Sequence, residues 1–135
     1  MNLTTQEKND LLNSMNELKK RNIDLSTEFY KVFLKNEEVA VLFKNVPLET
    51  QQQMFKVSLE SIMFFMDKPN QVKIELLDAG HKHKRYGVKK YHLPIFKSSL
   101  LEAINSCFDG KLNTEMINLW GKAIDIIVDY LSEKL

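Results

Sequence analysis

Glycine and proline are scarce in this chain, four and three in 135 residues, so little interrupts its secondary structure. Cysteine is scarcer still: Cys107 stands alone, which excludes an internal disulfide and fits a reducing compartment. No apolar run approaches the ~20 residues needed to cross a bilayer; the longest is Ile62-Met63-Phe64-Phe65-Met66. The opening Met1-Asn2-Leu3-Thr4-Thr5-Gln6-Glu7 lacks the charged and apolar regions of a signal peptide. Basic residues (19) nearly balance acidic ones (18) and form no stripe interleaved with aromatics, which argues against nucleic acid as a partner. Alternation of apolar and polar residues over the length of a strand is also missing. What is present is an apolar fraction of 44%, enough for one core in a chain of this size. These features predict one cytoplasmic domain over residues 1–135, all-α, with no membrane span.

Helical spacing runs through nearly the whole chain. Thr4 and Glu7 make a capping box ahead of a helix bearing Leu11, Leu12, Met15 and Leu18. Asp24 caps a second helix with Leu25, Phe29, Val32 and Phe33 on one face. A short third helix over 37–43 ends at a corner containing Pro47. A long helix over about 49–66 carries the stripe Gln51, Phe55, Leu59, Ile62, Met63 and Met66, and Lys68-Pro69-Asn70 breaks it. The next helix, over about 71–85, terminates at Gly87. Pro94 sits in the first turn of another, Asp109-Gly110 turns the chain, and a last helix carries Trp120, Ile124, Ile127 and Leu131.

One residue stands out against this pattern. His83 follows Gly80, Ala79 and Leu76 at helical steps of three, four and seven, so it shares their apolar, inward face. An inward imidazole is either satisfied by a buried hydrogen-bond partner or holds a metal through a ring nitrogen. Gln51 poses a similar choice. It shares a stripe with Phe55, which aims its amide inward, yet it also begins the polar run Gln51-Gln52-Gln53. Tyr30 could pack beside Phe29 with its hydroxyl in water, and Phe43 could be plain core. His81, near the opposite side of the helix from His83, is expected to be exposed. A surface position is also the expectation for His92, and Cys107 reads as a small buried apolar group.

Four segments, in this order and spacing, resemble the globin family, above all single-domain bacterial globins and the globin module of flavohaemoglobins. They are Glu28-Phe29-Tyr30-Lys31-Val32-Phe33, Val41-Leu42-Phe43, Gly80 through Val88, and Leu119-Trp120-Gly121-Lys122-Ala123. The resemblance implies a three-over-three fold of about seven helices enclosing haem b. It implies His83 as the proximal iron ligand and Phe43 stacked on the macrocycle. Phe55, Leu76 and Val88 would line the slot, and eight phenylalanines and six methionines are available for flat contacts. Tyr30 and Gln51 would donate hydrogen bonds to a diatomic ligand such as oxygen, nitric oxide or carbon monoxide. The 32 residues from Gln51 to His83 agree with the family's distal glutamine, whereas counting from Phe43 points to Thr50. The stripe favours Gln51, with Thr50 second.

The chain also departs from the flavohaemoglobin pattern. The tyrosine that supports the proximal histidine in those proteins is replaced by Leu93, and the chain ends about where the supporting glutamate would fall. Glu38 stands where a proline is usual, and no length remains for a fused reductase. Reversible storage, transport or sensing of a diatomic ligand is therefore the expected function, by a monomer or homodimer. Nitric-oxide dioxygenase activity drawing electrons from an external reductase is the second reading. A haem-free signalling module of the same fold is the third.

Overall fold

The computed structural model describes residues 2–135; Met1, first of the leading segment read above, lies outside them. Seven α-helices follow one another, with no strand among the described residues. They are α1 (Thr5–Lys20), α2 (Leu25–Phe33), α3 (Glu37–Ala40), α4 (Leu48–Phe64), α5 (Pro69–Arg85), α6 (His92–Cys107) and α7 (Thr114–Ser132). A single 3-10 turn, Val41–Phe43, continues α3. Both halves of the expected capping box form at Thr4, and the Asp24 carboxylate accepts the Ser26 N–H at 3.0 Å. Asn36 and Asn113 cap α3 and α7 in the same way. Pro69 does more than break a helix: it opens α5, because a first helical position has no use for the N–H that proline lacks. The Asp109-Gly110 turn places both residues at positive φ.

The core is continuous and lies along α2, α6 and α7, with α2 packed most extensively on α6. Phe29, Leu100, Ile104, Trp120 and Ile124 are among its largest sealed members. The Trp120 indole N–H donates to the Ser14 hydroxyl at 3.1 Å, tying α7 to α1. The two long helices α4 and α5 take different partners. α4 packs on α1 and α2, whereas α5 packs on α7. They form separate walls: Thr50, Gln51 and Phe55 lie on α4, beside Tyr30 of α2 and Phe43 of the 3-10 turn, whereas Leu76 and His83 lie on α5, with Val88 just after it.

Candidate functional site

On the first wall, the sequence brings four of the expected residues together. Tyr30, on α2, is 3% exposed. Its ring meets Phe29 at 5.0 Å, Phe43 at 5.7 Å and Phe55 at 5.8 Å, all edge to face. Gln51, in the first turn of α4, reaches back so that its Nε2–H donates to the Tyr30 Oη at 3.1 Å. The tyrosine hydroxyl is thus buried and held, not left in water. Burial raises its pKa above the ordinary 10.0, partly opposed by the Gln51 hydrogen bond, so the phenol keeps its proton. Since the oxygen accepts from Gln51, the hydroxyl hydrogen remains free, with no protein acceptor among the described residues. Thr50, one residue earlier on α4, is solvent-exposed and outside this group.

The second wall is α5 and the turn after it. Leu76 is buried in the core, Ala79 is half-buried, and Gly80 is buried against α7. His83 departs from the expected inward position: its side chain is solvent-accessible, as is every residue from 81 to 87. His83 shares its helical face with Leu76 and Gly80, but that face leaves the core before it reaches the histidine. Gly80 sits where the end of α7 passes, and no element covers the last turn of α5. The His83 Nδ1–H donates to the Ala79 carbonyl one turn back, at 2.6 Å. That bond orients the ring and fixes the tautomer, leaving the Nε2 lone pair unclaimed.

The turn after α5 brings the two walls side by side. A side chain at Gly87 would begin 3.7 Å from Leu42, the neighbour of Phe43. Val88, half-buried, donates its N–H to the His83 carbonyl at 3.1 Å and closes the end of α5. His92 contradicts the surface position expected for it. It is 4% exposed, and its Nδ1 accepts the Lys89 N–H at 2.9 Å as α6 begins. No local motif in the chain announces that bond, and α6 itself begins without a side-chain cap. His81 and Cys107 lie as expected, exposed and buried. Leu93, the residue expected where the supporting tyrosine would fall, is also buried.

The donor set decides what kind of group fits between these walls. Among the described residues no three His, Cys, Asp or Glu side chains converge, so a bare ion would lack its ligands. One oriented imidazole on α5, with a separate aromatic and apolar group on α2 and α4, is a donor set that suits instead an iron whose in-plane donors belong to a flat macrocycle.

A family profile described as Globin matches residues 26–131. The chain belongs to the globin family, and membership implies that it binds haem and a diatomic ligand. Three relatives illustrate its place there. A flavohemoprotein of Bacillus thuringiensis subsp. konkukian is 28% identical over 115 residues, covering 83% of this chain and 28% of the relative. Flavohemoprotein A of Dictyostelium discoideum is 28% identical over 108 residues, covering 78% and 27%. A protein of Gossypium hirsutum named as an anaerobic nitrite reductase is 28% identical over 141 residues, covering 93% and 86%. The chain therefore spans little more than a quarter of the flavohemoproteins but most of the Gossypium protein.

Proposed function

We propose that this chain binds iron protoporphyrin IX between α4 and α5 and takes up oxygen or another diatomic ligand reversibly. The observation that carries the reading is the Gln51–Tyr30 hydrogen bond inside a cage of Phe29, Phe43 and Phe55. It leaves the hydrogen of a buried phenol with no acceptor among the described residues. The haem would supply the iron that takes the diatomic ligand. His83 would hold that iron through Nε2, and the Ala79 carbonyl keeps the ring aimed. Phe43, Phe55, Leu76 and Val88 would supply apolar contacts, and Tyr30 would donate to the ligand while Gln51 holds its oxygen in place. Thr50 takes no part in this reading.

The support of His83 also bears on the reaction. Its Nδ1 partner is a neutral backbone carbonyl, and Leu93 adds no hydrogen bond. A carboxylate partner would make the imidazole a stronger electron donor. The arrangement thus favours holding a ligand over activating it, and places nitric-oxide dioxygenase activity with an external reductase second. The name and near-full coverage of the Gossypium relative favour one further reading, nitrite reduction. Nitrite consumption by haem-loaded protein with a chemical reductant, above that of free haemin, would support it.

The deciding measurement is the absorption spectrum after addition of haemin to wild type and to His83→Ala. The expected result is stoichiometric uptake by wild type, with a near-ultraviolet band that moves on adding carbon monoxide and changes form in the variant. Failure of the folded wild type to take up haem would overturn the proposal and leave the haem-free module.

A further inference from the structure

α4 carries a second set of apolar residues, which the rest of the chain leaves uncovered. Its inner face, with Leu59 and Met63 buried, packs on α1 and α2. Thr50, Met54, Val57, Ser61 and Phe64 recur at steps of four, three, four and three, so they form one stripe on the opposite side of the helix. All five are exposed, Met54 at 58%, Val57 at 56% and Phe64 at 53%. Three large apolar side chains in line on one helix exceed the scattered exposure normal for a protein surface. The stripe is symmetric about Val57, with Thr50 two turns before it and Phe64 two turns after. Gln51 and Phe55 lie about a quarter-turn or more around α4 from it, so the stripe stands apart from the residues of the haem reading.

The charges along the stripe point to what covers it. Glu49, beside Thr50, is exposed and has no cationic partner among the described residues. At the other end two ammonium groups stand over the Phe64 ring, Lys8 at 5.3 Å and Lys68 at 6.0 Å. Both share one carboxylate, Asp67, at 3.3 Å and 3.8 Å, so one positive charge is left over there. Between the ends the charges are met at home: Lys19 pairs with Glu60 at 2.8 Å, and Lys56 attracts the Asp24 carboxylate. The stripe is thus negative at its start, apolar at its centre and positive at its end. A copy turned about a two-fold axis at Val57 matches it, apolar on apolar, with Glu49 of each copy against Lys68 of the other. A parallel copy would set like charge on like at both ends. We propose that the outer face of α4 pairs with the same face of a second copy of this chain, the two helices antiparallel about Val57. A contact between single helices ~20 Å long lies at the small end of specific interfaces, so the dimer is a weak one in exchange with monomer.

Sedimentation equilibrium from micromolar to near-millimolar protein, with and without haemin, tests the surface. The weight-average mass should climb from that of one chain towards that of two, whether or not haem is bound. Val57→Glu sets two carboxylates against each other on the axis and should raise the dissociation constant by about tenfold or more. Met54→Lys is a second such variant, and both residues are exposed enough for the fold to tolerate the change. Glu49→Lys should weaken pairing severalfold and Lys68→Glu likewise, whereas the double variant should recover it. Glu115→Lys, a charge reversal on the exposed first turn of α7, should change nothing. Monomer at every concentration would overturn the proposal, and Val57-dependent binding of phosphatidylglycerol vesicles by that monomer would give the face to a lipid surface. A dimer indifferent to both Val57→Glu and Met54→Lys would place the contact elsewhere and overturn it too. A dimer lost in Val57→Glu but not recovered by the charge swap would overturn the antiparallel arrangement.

Discussion

The Tyr30 hydroxyl has one proton to give, and at its position no described residue claims it. A single hydrogen bond of this kind is worth about 1 to 1.5 kcal/mol net, and 1.4 kcal/mol is about tenfold in an equilibrium. Tyr30→Phe should therefore speed oxygen release from the haem-loaded protein by about tenfold, as read by stopped-flow. Gln51→Leu should also speed it, by less, because the hydroxyl survives but loses its orienting partner. Unchanged release in both variants would remove the distal role from this pair. A second buried group makes a pH prediction. Burial, helped by the carboxylates of Glu28 and Asp24, pushes the Cys107 thiol up to about 11 from its ordinary 9.0. An unfolded chain sheds that proton from pH 9.0 upward, while the folded one holds it until about 11. The thiol's contribution to stability is thus complete below the lower value and lost as pH rises through the window. Urea midpoints of wild type should fall more steeply across it than those of Cys107→Ala.

At the scale of helices, the position of α5 depends on Gly80. A Cβ there would stand 3.0 Å from the Leu131 carbonyl oxygen and 3.0 Å from the Lys134 Cβ, and the backbone atom has no rotamer to escape into. Alanine improves intrinsic helix propensity by about 1 kcal/mol, but overpacking of this kind costs about 1–3 kcal/mol. Gly80→Ala should thus lower the melting temperature, and Gly80→Val more so; an unchanged value would show that α7 yields. The cap of α2 makes a smaller prediction. Burial pushes the Asp24 carboxyl up, but the Ser26 hydroxyl and N–H outweigh it, and its pKa is lowered. Asp24→Ala should cost about 1 kcal/mol at neutral pH. Because the folded pKa is depressed, that difference is present above the ordinary 3.8 and should vanish as pH falls through the folded value. Both caps were legible in the chain, because Thr4-x-x-Glu7 and Asp24 act on backbone within three residues of themselves. The helical faces were legible too, since a 3.6-residue period is written in the residues it repeats. Where a face ends was not. His83 repeats Leu76 seven residues on, but only the packing of α7 reveals that cover stops near Gly80. Gly80 itself read as one more small inward residue, because close approach is a property of two helices and the chain shows one at a time. The resemblance set Tyr30 and Gln51 on one side of the site, where helical period alone left both open, but that the two bond to each other was not legible in the chain.

Taken whole, the molecule divides the proposed site between two packing groups. The Tyr30–Gln51–Phe43–Phe55 group rests on α2, α4 and the Val41–Phe43 turn, and is tied into the core by Phe29. α5 is anchored through Val72, Leu76 and Gly80, and no residue from 81 to 87 is buried. Local opening is easiest where few buried contacts must break. In the haem-free protein, amides of the last turn of α5 should therefore exchange with solvent well before those of α2, α6 and α7. A group that binds only the folded arrangement adds stability as its concentration rises above its dissociation constant. If His83 holds the iron, added haemin should slow exchange at the end of α5 and at the Leu42–Phe43 turn together, because Gly87 brings those segments side by side. In His83→Ala the slowing at α5 should disappear even where some haem is retained by the aromatic wall. Slowing at α5 that persists in the variant would mean that contacts other than the imidazole hold the group. Slowing confined to α1, α2 and α4 would place it against those helices instead, away from His83.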